Sequence, residues 1–248
     1  MAGNLARTEP TSRSAFSTKP WPVITGGALR GIEREPFREP HDDLRALQEV
    51  GVTQSFTRNE TIFAEGDPAK YAYRVVSGAI RHSKLLADGR RQIADFFMPG
   101  DLFGFTDFGT YAFSAEAIGN VVVIRYARAQ VDRLGDENSL LRRKLTMLLH
   151  ERLSIAQSHL VMLGRQTVRE RIASFLLQMA ERGEVEDGDG IDLPMGRQDI
   201  ADYLGLTIET VCRAIGELKR AGVIAVPNTH QIVVNDVETL RGVAEGDI

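Results

Sequence analysis

The 248-residue chain predicts an α+β protein with an N-terminal all-β domain, one long helix and a C-terminal winged helix-turn-helix. Three observations predict it. From about residue 52 to 127, short apolar runs are broken by Gly, Asn-Glu, Asp-Pro and Asp-Gly, the rhythm of a barrel or sandwich. From Asp136 to Leu163 neither Pro nor Gly interrupts an apolar period of helical spacing. The stretch MGRQDIADYLGLTIETVCRAIGELK reads as two short helices joined at Gly205.

The elements follow in order. Residues 1–40 are rich in Ser, Thr, Pro, Arg and Gly and hold no apolar period, so they read as a flexible tail with a small apolar island at Trp21, Val23 and Ile24. Residues 41–135 form the β domain, with strands expected at Tyr73–Ser77, Ala79–Leu85, Gln92–Phe97 and Asn120–Tyr126. Asp88-Gly89 lies between two of these runs and signals a hairpin. Residues 136–164 form the long helix. Leu149, Leu153, Ala156, Leu160 and Leu163 recur at 4, 3, 4, 3, a coiled-coil seam. Leu141, Leu145, Leu148, Ile155 and Met162 occupy a neighbouring face. A helix with two apolar faces needs two partners: the β domain on one side and a second copy, across a two-fold axis, on the other. Gly164 marks the hinge.

Residues 165–248 form the last domain. A helix is expected over 167–182 with Val168, Ile172, Phe175, Leu176 and Met179 inward, then an exposed acidic loop from Glu184 to Asp192. Ile200, Ala201 and Leu204 share one face of the next helix. Gly205 supplies the left-handed turn that ends it. Thr207 is placed to cap the helix after that. Val211, Ala214, Ile215 and Leu218 form its inward stripe. Val223–Val226 and Gln231–Val234 then alternate as a hairpin, a wing turning at Pro227–His230.

This layout leaves Ile208, Glu209, Cys212 and Arg213 facing outward near the start of the second helix, which makes double-stranded DNA the first candidate partner. Recognition helices touch base edges with their N-terminal residues. Arg bonds guanine bidentately, Glu accepts from cytosine N4, and Ile208 suits a thymine methyl. Thr207, Arg197 and Lys219 complete the candidate DNA-binding set, Lys219 as a sequence-independent phosphate contact. The competing reading is a plain helical hairpin whose Glu209 and Arg213 pair at i, i+4 on a solvated face.

Through Arg197, Asp199, Ile200, Ala201, Leu204, Gly205, Leu206, Thr207, Glu209, Thr210, Val211 and Arg213 the segment resembles the C-terminal domain of the CRP/FNR family of bacterial transcription regulators. The glycines of EGDPAKYAYRVVSGAIR and LADGRRQIADFFMPGDLFG (Gly66, Gly78, Gly89, Gly100, Gly104) carry the resemblance into the β domain, so that it covers about residues 42–240. It implies a β-roll of the cyclic-nucleotide-binding type. Within the family the segment looks most like the FNR/FixK branch, which has an apolar residue where Ile208 stands and Ser at position 212. That similarity implies a palindromic operator resembling TTGAT-N4-ATCAA, transcription activation through RNA polymerase, and genes of low-oxygen respiration and nitrogen fixation.

Composition bounds the rest. No run of 18 apolar residues exists, no secretory signal opens the chain, and one cysteine fits a reducing cytoplasm. The net charge is −4, and between residues 193 and 234 Arg197, Arg213, Lys219 and Arg220 are matched by Asp199, Asp202, Glu209 and Glu217. We therefore expect affinity to depend on base readout and dimerisation more than on phosphate attraction. No nucleophile elbow, Walker loop, HExxH or paired carboxylates mark an enzyme.

The resemblance also tests for effectors. The family's cyclic-nucleotide sensors hold the phosphate with an Arg before a Ser or Thr and the ribose with a Glu after PGDLFG. Here Phe105 and Thr106 occupy the Glu region and Phe113 precedes Ser114. An apolar ring cannot neutralise phosphate, so cAMP is not expected to be required. A four-cysteine iron–sulfur centre needs more thiols than this chain has. The alternative is an effector-gated regulator whose β-roll binds an unidentified small ligand, or haem through His82 or His41. No metal and no cofactor are assigned. Cys212, in the reading helix next to Arg213, has neighbours that favour thiolate, so its oxidation is a candidate off-switch.

Overall fold

The computed structural model describes residues 47, 49–106, 108–183 and 190–247. The tail, its apolar island, His41 and residues 184–189 of the acidic run lie outside the described residues. Eight strands build the N-terminal domain: β1 (Val52–Phe56), β2 (Thr61–Phe63), β3 (Tyr71–Ser77), β4 (Ile80–Leu85), β5 (Arg91–Phe97), β6 (Leu102–Phe103), β7 (Ser114–Ala117) and β8 (Val121–Ala127). They form two antiparallel sheets, ordered β1-β8-β3-β6 and β2-β7-β4-β5. Alternation sends Val75, Ile80, Ala115, Val121 and Val123 into the space between them, where they meet a group of aromatic rings. The four expected strands are present within two residues at each end. Gly89 makes the β4–β5 turn with a left-handed φ of 84°, while the Asp88 carboxylate accepts from the Arg90 backbone N–H at 3.0 Å.

The long helix is shorter at its start than expected. Helix α1 (Arg128–Glu137) ends at Asn138, and α2 runs Ser139–Arg165. The Asn138 side chain accepts from the N–H groups of Leu140 and Leu141, so it caps α2 instead of continuing α1. The hinge also moves. Gly164 stays helical, and the chain turns at Gln166, whose backbone is extended. Thr167 and Glu170 then form a reciprocal capping box for α3 (Val168–Arg182).

Leu141 and Met162 are buried, whereas Leu149, Leu153 and Leu160 are 51%, 56% and 72% exposed. The two apolar faces of α2 are thus distinct, and the seam is open to a partner.

Past residue 189, Gly190–Asp192 is strand β9 and not the end of an exposed loop. It pairs with β11 (Gln231–Val234), which pairs with β10 (Ile224–Asn228). Ile191 is buried there, which offsets the acidity that marked the segment as loop. The helices of this domain are α4 (Arg197–Leu204), α5 (Ile208–Arg220) and α6 (Val237–Glu245). Gly205 ends α4 at φ 64°, ψ 38°, the left-handed conformation expected. Thr207 caps α5, its side chain accepting from the Thr210 N–H. Ile200, Ala201, Leu204, Val211, Ala214, Ile215 and Leu218 are all buried in one core, which also takes in Ile93 and Phe96 of β5.

Candidate nucleic-acid interface

The reading surface is built by the caps. Because Gly205 turns the chain sharply and Thr207 starts α5 at once, the apolar stripe of α5 faces α4 and the opposite side faces out. Glu209, Cys212 and Arg213 are exposed on that side, in the first two turns. Ile208 is half-buried at the helix start. Glu209 is held below the usual carboxylate range by hydrogen bonds from its own N–H and from Thr207, so it stays ionised. No ion pair joins Glu209 to Arg213 among the described residues, so both side chains are open to a partner. Lys219 is exposed in the last turn of α5, away from this cluster.

Arg197 opens α4 and is half-buried. Burial lowers its guanidinium pKa, and the charge of nearby Cys212 partly opposes that. Its buried Nη1 has no hydrogen-bond partner among the described residues. Cys212 is a free, exposed thiol.

The balanced charge counted along the sequence is not the charge of this surface. Asp199 and Asp202 point into the β-roll, where Arg91 donates to both, Nη2 to Asp199 at 2.6 Å and Nε to Asp202 at 2.7 Å. Arg81 adds an Nη1 donor to Asp199 at 3.4 Å. These two acids are neutralised from within, so the outward face keeps Arg213, Lys219 and Arg220 with less opposition than the count suggested. No local signal reveals this, since the partners lie more than 100 positions away.

The roll interior is occupied by rings. Phe63 and Tyr111 stack with centroids 3.7 Å apart, Tyr73 on Phe103 at 5.1 Å and Phe97 on Phe103 at 5.0 Å. His82 sits between Phe97 and Phe113, at 5.5 and 4.9 Å, and burial pushes its pKa down to about 4. The imidazole there is neutral at physiological pH and offers no charge to a phosphate. Phe105 instead packs beside Leu102 and Tyr126 at the base of α2. No described helix is long and apolar enough to cross a membrane, and no described cluster of His, Cys, Asp and Glu is arranged to hold a metal.

Comparison with known proteins agrees with this architecture. Residues 170–243 match the Crp-like helix-turn-helix domain, and residues 53–138 match the cyclic nucleotide-binding domain. The nitrogen fixation regulation protein FixK of Bradyrhizobium diazoefficiens is 45% identical over 186 residues, 74% of this chain and 78% of that protein. FixK of Rhizobium meliloti is 42% identical over 190 residues, 77% and 86% of the two chains. The solved structure of FixK2 from Bradyrhizobium japonicum, 39% identical, superposes with a TM-score of 0.74 over 78% of this chain and 97% of its own. With two domain models matched in the family's order and relatives this similar over most of their length, the chain belongs to the CRP/FNR family of transcription regulators, in its FNR/FixK-like branch.

Proposed function

We propose that this chain is a homodimeric transcription activator that reads a palindromic TTGAT-N4-ATCAA-like site, works without cAMP and is inactivated by oxidation of Cys212. The observation that carries the reading is the exposed set Glu209, Cys212 and Arg213 on the first two turns of α5. In this reading Arg213 bonds guanine, Glu209 accepts from cytosine, and Ile208 packs on a thymine methyl. Thr207, Arg197 and Lys219 meet phosphates. The division of labour is a β-roll that ends with α1, a dimerisation helix α2 (Ser139–Arg165) and a DNA-binding domain from Thr167 onward. Dimerisation is supported by the exposed seam of Leu149, Leu153, Ala156 and Leu160, which the half-buried Leu163 continues. RNA polymerase is the further partner and the cytoplasm the site of action. Similarity to the FixK proteins points to nitrogen fixation as the physiology.

The ring-filled roll supports independence from cyclic nucleotides. For the thiol, peroxide is the oxidant: the Cys212 thiolate attacks one peroxide oxygen, the O–O bond breaks, and a sulfenic acid and water result after proton transfer. A second equivalent gives the sulfinate. The added oxygens lie beside Arg213 and within the field of Arg197, and a negative group there repels the DNA backbone.

A gel-shift on the TTGAT palindrome, with and without peroxide, tests this. The reduced protein binds and peroxide releases it, whereas Cys212→Ala stays bound in peroxide. Absence of binding by folded, reduced protein refutes the reading, and peroxide sensitivity retained in Cys212→Ala refutes the switch.

One observation favours a second reading, an effector-gated regulator. A cleft of about 480 Å³ lies at the base of α2, lined by Phe105, Thr106, Arg128, Arg142, Leu145 and Leu149. A thermal shift in the presence of nucleotides, haem or nitric oxide distinguishes the two.

A further inference from the structure

We infer that Arg81 and Arg91 are positioning residues: from the β-roll they fix the angle of the reading motif, and with it the half-site spacing the protein accepts. This rests on the palindrome reading above and deepens it.

Arg81 is the second residue of β4, directly across from Glu116 of β7 in the sheet register. Its side chain is 10% exposed and every nitrogen is used: Nε donates to Glu116 at 2.8 Å, Nη2 to Asn59 Oδ1 at 3.1 Å, and Nη1 to Asp199. Arg91, at the start of β5, sends two donors to α4, one to Asp199 and one to Asp202. Burial alone would lower the Arg91 pKa, and the two aspartates reverse this and raise it. Asp202 is further oriented by Gln198 Nε2, 2.7 Å from its other oxygen. Next to the ionic cluster, Gln92 Nε2 donates to the Tyr203 carbonyl oxygen at 3.2 Å. Arg81, Arg91 and Gln92 are thus aimed at one stripe of α4, Asp199, Asp202 and Tyr203.

Apolar packing already joins these two elements. Ile93 and Phe96 already share a core with Ile200, Tyr203 and Leu204. Buried ion pairs gain little over apolar contacts of equal size, because desolvation offsets their attraction. Directionality is what they add. An apolar patch lets a helix roll or slide by a fraction of a turn at small cost, whereas planar guanidinium forks accept carboxylates in a narrow range of orientations. Since α4 and α5 pack as one unit through Ala201, Val211 and Ile215, fixing α4 fixes Arg213. In a two-fold dimer the separation of the two reading helices follows from that angle, and half-sites must lie about 34 Å apart.

The test uses full-length protein, fluorescence anisotropy, and duplexes that carry either one TTGAT half-site or two with spacers of four, five or six base pairs. The parent favours the four-base spacer by about tenfold or more. In Arg91→Gln, and in the isosteric Asp202→Asn, single-half-site affinity is retained while the spacer preference collapses to within about twofold. Arg91→Lys keeps the charge without the fork and restores only part of it. Folded variants, judged by an intact urea transition, that keep the parent's spacer profile overturn the inference; Asp202→Asn changes no side-chain size and carries the test if Arg91→Gln does not fold. A parent that shows no spacer preference overturns instead the palindrome reading beneath it.

Discussion

The imidazole of His159 on α2 lies flat against the phenol ring of Tyr203 on α4, centroids 4.0 Å apart and planes at 15°. Its Nε2 is 2.9 Å from the Tyr203 carbonyl oxygen. A carbonyl only accepts, so Nε2 carries the proton. The same carbonyl also accepts from Gln92 of β5. One residue of the reading motif therefore touches both the long helix and the β-roll. Replacing His159 by Ala removes a buried stack and a hydrogen bond, and is expected to cost about 1–3 kcal/mol in urea unfolding. His159→Phe retains the stack and should recover part of that loss.

Arg213→Ala should lower affinity by about 1–3 kcal/mol and relax the choice of base at one position of each half-site. Lys219→Ala should instead weaken all sequences alike and flatten the salt slope by about one. Competition binding with single-base-substituted operators at several salt concentrations separates the two behaviours. Unaltered base preference in Arg213→Ala would remove it from base readout.

The seam of α2 offers a clean test of assembly. Leu153 and Leu160 are largely exposed in the single chain, so Leu153→Glu with Leu160→Glu leaves the fold intact and sets like charges against each other across a two-fold axis. Sedimentation velocity should show a dimer for the parent and a monomer for the double variant, with an unchanged circular dichroism spectrum.

His82 predicts an acid-sensitive β-roll. Burial lowers its pKa from an ordinary 6.5 to about 4. Below about 6.5 the unfolded chain binds a proton that the folded chain refuses. The His82 contribution to stability is therefore complete above that pH and declines as pH falls toward 4. The full loss is roughly 3 kcal/mol. His82→Phe, which fits among Phe63, Phe97 and Phe113, should reduce the slope of unfolding free energy against pH in that window.

What the sequence makes legible here is whatever rests on local pattern. The stripes of α4 and α5, the left-handed Gly205 and the Asp88-Gly89 turn each depend on residues within one or two helical turns. Asn138 was missed because a single Asn inside a helical period carries little penalty, and its role appears only once its side chain is seen to accept from Leu140 and Leu141. Strand β9 was missed because three residues in an acidic setting show no alternation; its pairing with β11 supplies the order. The inward turn of Asp199 and Asp202 depends on Arg81 and Arg91 over a hundred residues upstream, and no short-range pattern contains it. Of the residues read as DNA contacts, Thr207, Glu209, Cys212, Arg213 and Lys219 are exposed, while Ile208 and Arg197 are half-buried.

The open leucine seam has a consequence for dose. Where two copies associate only weakly, the amount of paired protein grows with the square of the amount synthesised. A modest rise in expression then becomes a larger proportional rise in promoter occupancy.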